Sequence, residues 1–219
     1  MVTLIDTHTH IYYLHGTAEL ATQLQRCLDN GVRQLLLPNV DRDSIAKVMG
    51  TAAEYPEQCF PMLGLHPCDV KDDYLEQLRV IEQAIGQHRI YGIGEIGIDL
   101  HWDKTTLSKQ QDAFRIQAEW AKALGLPVSI HCRNAFDELF QLLEKVQDGR
   151  LKGVLHCFTG DRGQAERTIG LGLYLGIGGV VTYKNAGLDT VVAELGLDHL
   201  VLETDSPYLA PVPHRGKKN

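Results

Sequence analysis

Eight short apolar segments recur along the sequence and alternate with longer segments of helical periodicity. The apolar segments lie at residues 2–5, 34–37, 60–65, 90–96, 127–131, 153–156, 173–177 and 199–202. Between two of them, Phe114, Ala118, Ala121 and Leu124 fall on one face of a helix. This alternation predicts parallel strands joined by right-handed crossovers, with helices covering the sheet.

Two architectures fit such a pattern, a closed (β/α)₈ barrel and an open doubly wound sheet. The count of eight, and the absence of a G-x-G-x-x-G turn after the first segment, favour the barrel. We therefore predict an α/β protein with a TIM-type (β/α)₈ barrel, formed by residues 1–219 as a single domain. Local signals predict helix starts at Ser108, from a capping box with Gln111, and after Asn134, and a helix end at Gly125.

Composition restricts the partners of this chain. Its 44% hydrophobic and 22% charged residues are typical of a globular protein, and the net charge of −7 argues against non-specific adhesion to nucleic-acid backbones or anionic lipid. A nucleic-acid substrate stays possible if positive charge is supplied locally or by metal ions. The sequence has no apolar run of about 20 residues and no secretory signal at its start, so we predict a cytoplasmic protein with no membrane contact.

Five cysteines without a C-x-x-C pair indicate reduced thiols rather than disulfides or a thiolate zinc site. Cys132 and Cys157 each follow a histidine directly. Because neighbouring residues of a strand face opposite sides, we expect both thiols to point towards the helices if the histidines point into the barrel.

Histidines and carboxylates occur where the predicted strands end, which is where barrel enzymes place their chemistry. The six candidate metal ligands are His8, His10, Glu95, His131, His156 and Asp205. An H-x-H pair alone is weak evidence, but its two rings share one face of a strand, and four other strands contribute to the same rim.

The donor types indicate which ions fit. Imidazole and carboxylate without thiolate suit Zn²⁺ or Mn²⁺, and the share of oxygen keeps Mg²⁺ possible. Six ligands are too many for one catalytic ion with an open position, so we predict two divalent ions per chain, with Glu95 able to bridge them. Hydrolysis by activated water is the expected reaction. Arg133, two residues after His131, is placed to pair with a phosphate or carboxylate, and His66 is either substrate-facing or a structural cap.

Seven motifs resemble those of the TatD family of metal-dependent deoxyribonucleases, within the amidohydrolase-like barrels. They are IDTHTH at 5–10, GLHP at 64–67, GEIGID at 94–99, IHCRNA at 130–135, HCFTG at 156–160, TYKNA at 182–186 and LETDSPYLAPVPHRGKKN at 202–219. They occur in the family's order from one end of the chain to the other. Residues 100–102, Leu-His-Trp, depart from the paired aromatics more usual in the family, as do Cys132 and Asn134 from its more usual Ser and Asp.

The resemblance implies roles for individual residues, which fall into two metal groups. One group is His8, His10, Glu95 and Asp205, and the other is Glu95, His131 and His156. It implies that Asp205 and Glu95 are catalytic, with Asp205 moving a proton. It further implies that His66 and Arg133 face the scissile phosphate, and that Glu203 orients a ligand. The implied activity is 3′–5′ exonucleolytic hydrolysis of DNA. We expect DNA as the substrate, a monomeric chain and no obligate protein partner.

Two other functions fit the same residues. One is an amidohydrolase-type enzyme that cleaves an amide, lactone or phosphotriester, and the other is a non-catalytic metal-binding protein. The length of the chain is short for this fold. A (β/α)₈ barrel typically takes about 250 residues, and the resemblance implies a final helix after the last motif. With only seven helical segments in 219 residues, we expect a truncated or incompletely represented chain that lacks this helix and supports its metal site less well.

Overall fold

A computed structural model describes residues 3–219 and shows eight parallel strands, each hydrogen-bonded to the next in chain order. The predicted (β/α)₈ barrel is confirmed. The strands are β1 (Leu4–Asp6), β2 (Val32–Pro38), β3 (Cys59–Leu63), β4 (Gly92–Asp99), β5 (Val128–Arg133), β6 (Gly153–Leu155), β7 (Tyr174–Ile177) and β8 (Leu200–Leu202). Residue 2 of the predicted first strand lies outside the described residues.

Seven helices follow the first seven strands in turn. They are α1 (Ala18–Asp29), α2 (Ile45–Glu54), α3 (Tyr74–Gln87), α4 (Leu107–Leu124), α5 (Phe136–Val146), α6 (Arg162–Gly170) and α7 (Leu188–Leu195). Residues 203–219 contain no helix. None of the helices within residues 3–219 combines the length and apolar character needed to cross a bilayer.

Strand β4 is the most buried element and carries the central carboxylate. All eight of its residues, GIGEIGID, are buried, as expected for a parallel strand covered on both faces. Its glycines allow close contact with β5, because a Cβ on Gly97 would overlap the backbone of His131. The φ of 151° at Gly97 is also one that other residues rarely adopt. Glycine there lets the two strands meet where Glu95 and His131 emerge.

Two helix starts differ from the local prediction. Helix α4 begins at Leu107 rather than after Ser108, because Gln110 bonds the backbone of Asp99 through both amide atoms and so fixes the first turn from outside. Helix α5 begins one residue later than predicted, after Ala135, while Asn134 takes a left-handed φ of 54°. The end of α4 at Gly125, with a φ of 65°, is confirmed.

The barrel closes between β1 and β8 mainly at the carboxyl ends of the strands. The N–H of Thr7 donates to the carbonyl of Leu202 at 3.0 Å. The buried carboxylate of Asp6 accepts bonds from the backbone N–H and the hydroxyl of Thr204 at 3.0 and 2.6 Å. On the outer surface beside this seam, Ile5 is 45% and Leu202 58% exposed. Polar bonds at the rim therefore hold the seam, while its apolar outer face is left uncovered by residues 3–219.

Candidate metal centre and substrate cavity

Glu95 lies at the centre of the barrel mouth, and its two oxygens face different groups of side chains. It is 2% exposed. Oε2 faces the two histidines that follow β1, whereas Oε1 faces histidines on β5 and directly after β6 and in the loop after β3. One carboxylate therefore connects two clusters of donors, and the fold brings together all six predicted ligands.

The first cluster surrounds Oε2 of Glu95. The Nε2 atoms of His8 and His10 lie 3.3 and 3.6 Å from that oxygen and 3.2 Å from each other. Oδ1 of Asp205 lies 3.8 Å from His8 and 3.5 Å from His10. Asp205 lies three residues after the end of β8 and has a left-handed φ of 55°, a strained conformation of the kind that often marks functional sites.

The spacing in the first cluster fits a metal ion. Ligands about 2.1 Å from a tetrahedral ion lie about 3.4 Å from one another. The Nε2 atoms of His8 and His10 lie at 3.2–3.8 Å from each other and from the nearest oxygens of Glu95 and Asp205. The other ring nitrogens are already engaged, because Nδ1 of His8 bonds Ser129 Oγ at 2.9 Å and Nδ1 of His10 bonds the Tyr12 hydroxyl at 3.0 Å. Such outer bonds orient metal-binding imidazoles and leave Nε2 free for the ion.

The second cluster surrounds Oε1 of Glu95. Nδ1 of His131 lies 2.9 Å from it, Nε2 of His156 lies 2.8 Å away and Nε2 of His66 lies 3.3 Å away. His66 and His131 are also 3.3 Å apart through these same nitrogens. Three imidazoles around one buried carboxylate oxygen provide the nitrogen and oxygen donors that a divalent ion of the zinc or manganese type prefers.

His66 has a double role in this arrangement. Its Nδ1 accepts the backbone N–H of Cys68 at 3.1 Å and so caps the short turn Pro67–Asp69. In the neutral ring the proton then resides on Nε2, the nitrogen that faces the cluster. A ring held in this tautomer donates to oxygen, and this geometry is more suitable for an anionic substrate than for metal ligation.

Asp99 is a site residue that sequence reasoning missed. Its Oδ2 lies 2.9 Å from Nε2 of His131, on the opposite side of the ring from Glu95. Its Oδ1 accepts the backbone N–H groups of His101 and Trp102 at 2.8 and 3.3 Å. The available signal was its position as the last residue of GEIGID, four residues after Glu95, which places it on the same face of β4.

Glu203 supports the cluster from behind His156. Its side chain is fully buried, and Oε1 accepts the backbone N–H of Cys157 at 2.5 Å and lies 3.5 Å from Nδ1 of His156. Nδ1 of His156 and Oε2 of Glu203 are both buried without a hydrogen-bond partner among the described residues. The carboxylate therefore faces the ring it is expected to orient.

The electrostatics of the centre are set by burial and by mutual contacts. Burial opposes ionisation of Glu95, but the neighbouring charges of His66, His156 and His8 outweigh it and hold its pKa well below the usual value. Burial, reinforced by His156, lowers the pKa of His8. Burial also opposes the charged form of His156, yet Glu95 and Glu203 raise its pKa well above the usual value. Glu95 and His8 are thus in the forms that bind metal, an ionised carboxylate and a neutral imidazole, whereas His156 must release its proton before it can bind an ion.

A cavity of about 660 Å³ opens above the two clusters. Arg133 and Trp102 line one wall, and Tyr13 and Tyr208 also line the cavity, on the side of His10. Arg133 does not reach Glu95 or its histidines, since its guanidinium lies 5.5 Å over the ring of Trp102. The volume is in the range of small-molecule sites, roughly 300–1,000 Å³, and accommodates a nucleotide-sized group.

The prediction that two cysteines point towards the helices is wrong. Cys132 and Cys157, expected to point towards the helices, line the cavity together with Cys68. Strand alternation does not apply to Cys157, because it follows the end of β6 and has a left-handed φ of 46°. Burial raises the pKa of all three thiols to about 12. They are therefore protonated at neutral pH and are poor nucleophiles.

Replacing Asp99 with Asn is expected to lower kcat/KM by roughly 10- to 100-fold, the usual cost of losing the carboxylate partner of a metal-binding histidine. The amide keeps the side-chain shape but loses the charge that His131 and two backbone N–H groups stabilise, so the melting temperature should fall as well, with the protein still folded. Initial rates and a melting curve check this. Asp137→Asn is the matched control, because Asp137 is exposed on α5. Equal activity of Asp99→Asn and wild type would show that His131 needs no such partner.

Comparison with known proteins gives one consistent result. The family described as "TatD related DNase" matches residues 5–219. An uncharacterized metal-dependent hydrolase, YabD of Bacillus subtilis, is 35% identical over 99% of this chain and 85% of its own length. A protein of Yersinia pseudotuberculosis named 3′-5′ ssDNA/RNA exonuclease TatD is 33% identical over 86% of this chain and 73% of its own length.

Solved structures agree with the fold. The crystal structure of YjjV, a TatD homologue from Escherichia coli K12, has a TM-score of 0.91 at 32% identity and covers 99% of this chain and 84% of its own. An organophosphorus hydrolase from Deinococcus radiodurans has a TM-score of 0.65 at 16% identity, over 93% of this chain and 75% of its own, which shows a shared fold alone.

Proposed function

The chain belongs to the TatD family of metal-dependent hydrolases, and from this we propose that it cleaves DNA phosphodiester bonds as a 3′–5′ exodeoxyribonuclease. The observation that carries the proposal is Glu95, whose two oxygens face two separate donor clusters. We propose two divalent ions per chain, Mg²⁺, Mn²⁺ or Zn²⁺. The ligands would be His8, His10, Glu95 and Asp205 for one ion and Glu95, His131 and His156 for the other.

Bound divalent ions at such a site polarise a phosphoryl oxygen and lower the pKa of water. The side chains of this chain perform the remaining steps. Asp205 is ionised, because His10, His156 and His8 together outweigh the opposing effect of its burial and lower its pKa. Its carboxylate accepts the proton of the attacking water and returns it to the leaving oxygen as the phosphorus–oxygen bond breaks.

Two residues bind the substrate phosphates in this proposal. His66 donates from Nε2 to an oxygen of the scissile phosphate, in the tautomer that its bond to the Cys68 backbone favours. Arg133, exposed at the rim, pairs with a phosphate further along the strand. This local positive charge explains how a chain with a net charge of −7 binds a polyanion.

The proposal is tested by digesting a 5′-labelled single-stranded oligonucleotide with Mg²⁺, Mn²⁺ or Zn²⁺ in turn. We expect a ladder that shortens from the 3′ end, and none from Asp205→Asn. Lactone, amide and phosphotriester substrates are assayed in parallel, because the same ligands would serve an amidohydrolase-type reaction. A ladder of equal strength from the variant, or turnover of only a non-nucleic substrate, would overturn the proposal.

Metal content gives a second measurement that is independent of turnover. Elemental mass spectrometry of protein dialysed against each ion should find two ions per chain. A content far below one ion per chain would instead favour a non-catalytic role for the barrel.

A further inference from the structure

Trp102 is a large aromatic side chain exposed at the wall of the active cavity. It is 71% exposed and lines the same cavity as Glu95, His66 and His131. The other tryptophan of the chain, Trp120, is half-buried on α4 and packs against the hydrophobic core. Burial of an indole is strongly favourable, so the exposure of Trp102 is not explained by the packing of the barrel.

The backbone of Trp102 is bonded to a residue of the candidate metal centre. Oδ1 of Asp99 accepts its backbone N–H, while Oδ2 of the same carboxylate lies against His131. The ring of His101 meets the indole edge-on, with centroids 4.8 Å apart. The backbone that carries the exposed indole is therefore bonded to the same carboxylate that lies against His131.

Arg133 adds a cation to this aromatic surface. Its guanidinium lies 5.5 Å over the indole ring, a contact that orients the exposed side chain without burying it. Nucleic-acid sites for single strands combine these two elements, a cation that follows the backbone phosphates and an aromatic ring on which a base stacks.

We propose that Trp102 stacks on an unpaired base of the substrate strand and is a specificity-determining residue of this site, a role that rests on the proposed nuclease function. An internal base of a duplex has both faces covered by its neighbours, whereas a base of a single strand can turn a free face to the indole, so the contact favours single strands. It depends little on sequence, because every base has a stacking face. Arg133 then binds the phosphate next to the stacked base.

The test pairs a protein change with a substrate change. Trp102→Ala, Trp102→Phe and wild type are assayed on a single-stranded oligonucleotide and on versions with one abasic site at the first, second or third nucleotide from the 3′ end. At one position we expect removal of the base to lower kcat/KM of wild type on the order of 10- to 100-fold, mainly through KM. Trp102→Ala should show the same loss with the base present and no further loss at the abasic position. Trp102→Phe, which keeps a stacking ring, should recover most of the activity.

Fluorescence provides a readout other than rate. Trp120→Phe leaves Trp102 as the only tryptophan, and Trp102→Phe leaves only Trp120. In stopped-flow single turnovers with the metal-loaded enzyme, Trp102 fluorescence should fall on mixing with the single strand and recover as product leaves. The signal of Trp120 should stay constant.

The outcomes separate the two proposals. The stacking role is overturned, and the nuclease function stands, in either of two cases with a wild type that degrades the oligonucleotide. In one, the fold-loss in kcat/KM caused by Trp102→Ala is the same with and without a base at every position. In the other, Trp102 fluorescence does not change on mixing. If wild type degrades no DNA with any ion, the nuclease function fails first. Trp102→Ala could also lose activity because the protein is less stable, which a lower melting temperature would show. In that case the role is structural if no abasic position removes the effect of Trp102→Ala, and stacking is supported if one position does and Trp102→Phe recovers activity.

Discussion

Glu95→Gln is expected to lower kcat/KM on the order of 10³-fold and to reduce bound metal from two ions to about one ion per chain. The amide presents one oxygen and one N–H group in place of two equivalent anionic oxygens, so one of the two clusters loses its shared donor. Charge stabilisation by an active-site metal is worth several kcal/mol, and each 1.4 kcal/mol is about tenfold in rate. Steady-state rates and elemental analysis on the same preparation measure both effects.

Glu82→Gln is the matched control for this change. Glu82 is exposed on α3, and the described contacts give it no ion pair. It should keep wild-type rate and metal content. Because Glu95 is buried, the melting temperature of Glu95→Gln is measured as well, so that unfolding is separated from loss of the donor. A folded Glu95→Gln with normal rate and two ions would show that the site does not depend on the shared carboxylate.

Removing metal with a chelator is expected to abolish hydrolysis and to lower the melting temperature by roughly 5–10 °C. An ion present at about 100 times its Kd stabilises the folded state by about 2.7 kcal/mol, and each kcal/mol shifts the melting temperature of a protein of this size by about 2–4 °C. Calorimetry or dye-based melting with stepwise addition of Mg²⁺, Mn²⁺ or Zn²⁺ measures the shift.

The same titration on His8→Ala separates specific binding from a general salt effect. His8 contributes to the first cluster, so its loss should reduce the thermal shift as well as the rate. Activity that persists in excess chelator, with no thermal response to any ion, would contradict a role for metal in both turnover and stability.

The fold was predictable because its strands differ so clearly from their surroundings. Segments such as 153–156 and 173–177 are short, apolar and bounded by polar helices, and the order of such segments determines the parallel topology. The helix starts were less predictable. Gln110 bonds the backbone of Asp99, and this tertiary contact determines where α4 begins, although Ser108 offers the better local cap.

The six candidate ligands were predictable for a related reason. In a parallel barrel the carboxyl ends of all strands meet at one rim, so residues as distant as His8 and Asp205 must lie close together. Asp99, by contrast, is one of several carboxylates near strand ends. Its importance depends on the orientation of the His131 ring, which no pattern in β4 specifies.

Contacts that depend on loop conformation could not be predicted from the sequence either. Of the two alternatives for His66, the structural cap is observed, because Nδ1 accepts the backbone N–H of Cys68. Its Nε2 faces Glu95, and contact with a substrate stays a prediction. The positive φ angles at Cys157 and Asp205 interrupt the alternation from which side-chain direction is predicted, and this is why one thiol lines the cavity.

The seam between β1 and β8 links occupancy of the site to local motion of the barrel. His8 and His10 follow β1 on one side of it, and Asp205 follows β8 on the other. Any opening of this seam separates the donors of the first cluster, so an ion that holds them together also resists the opening. Amide hydrogen exchange in β1 and β8 and the affinity for the ion should then both report the opening equilibrium of the seam. A bound ion would favour the closed form and slow the exchange.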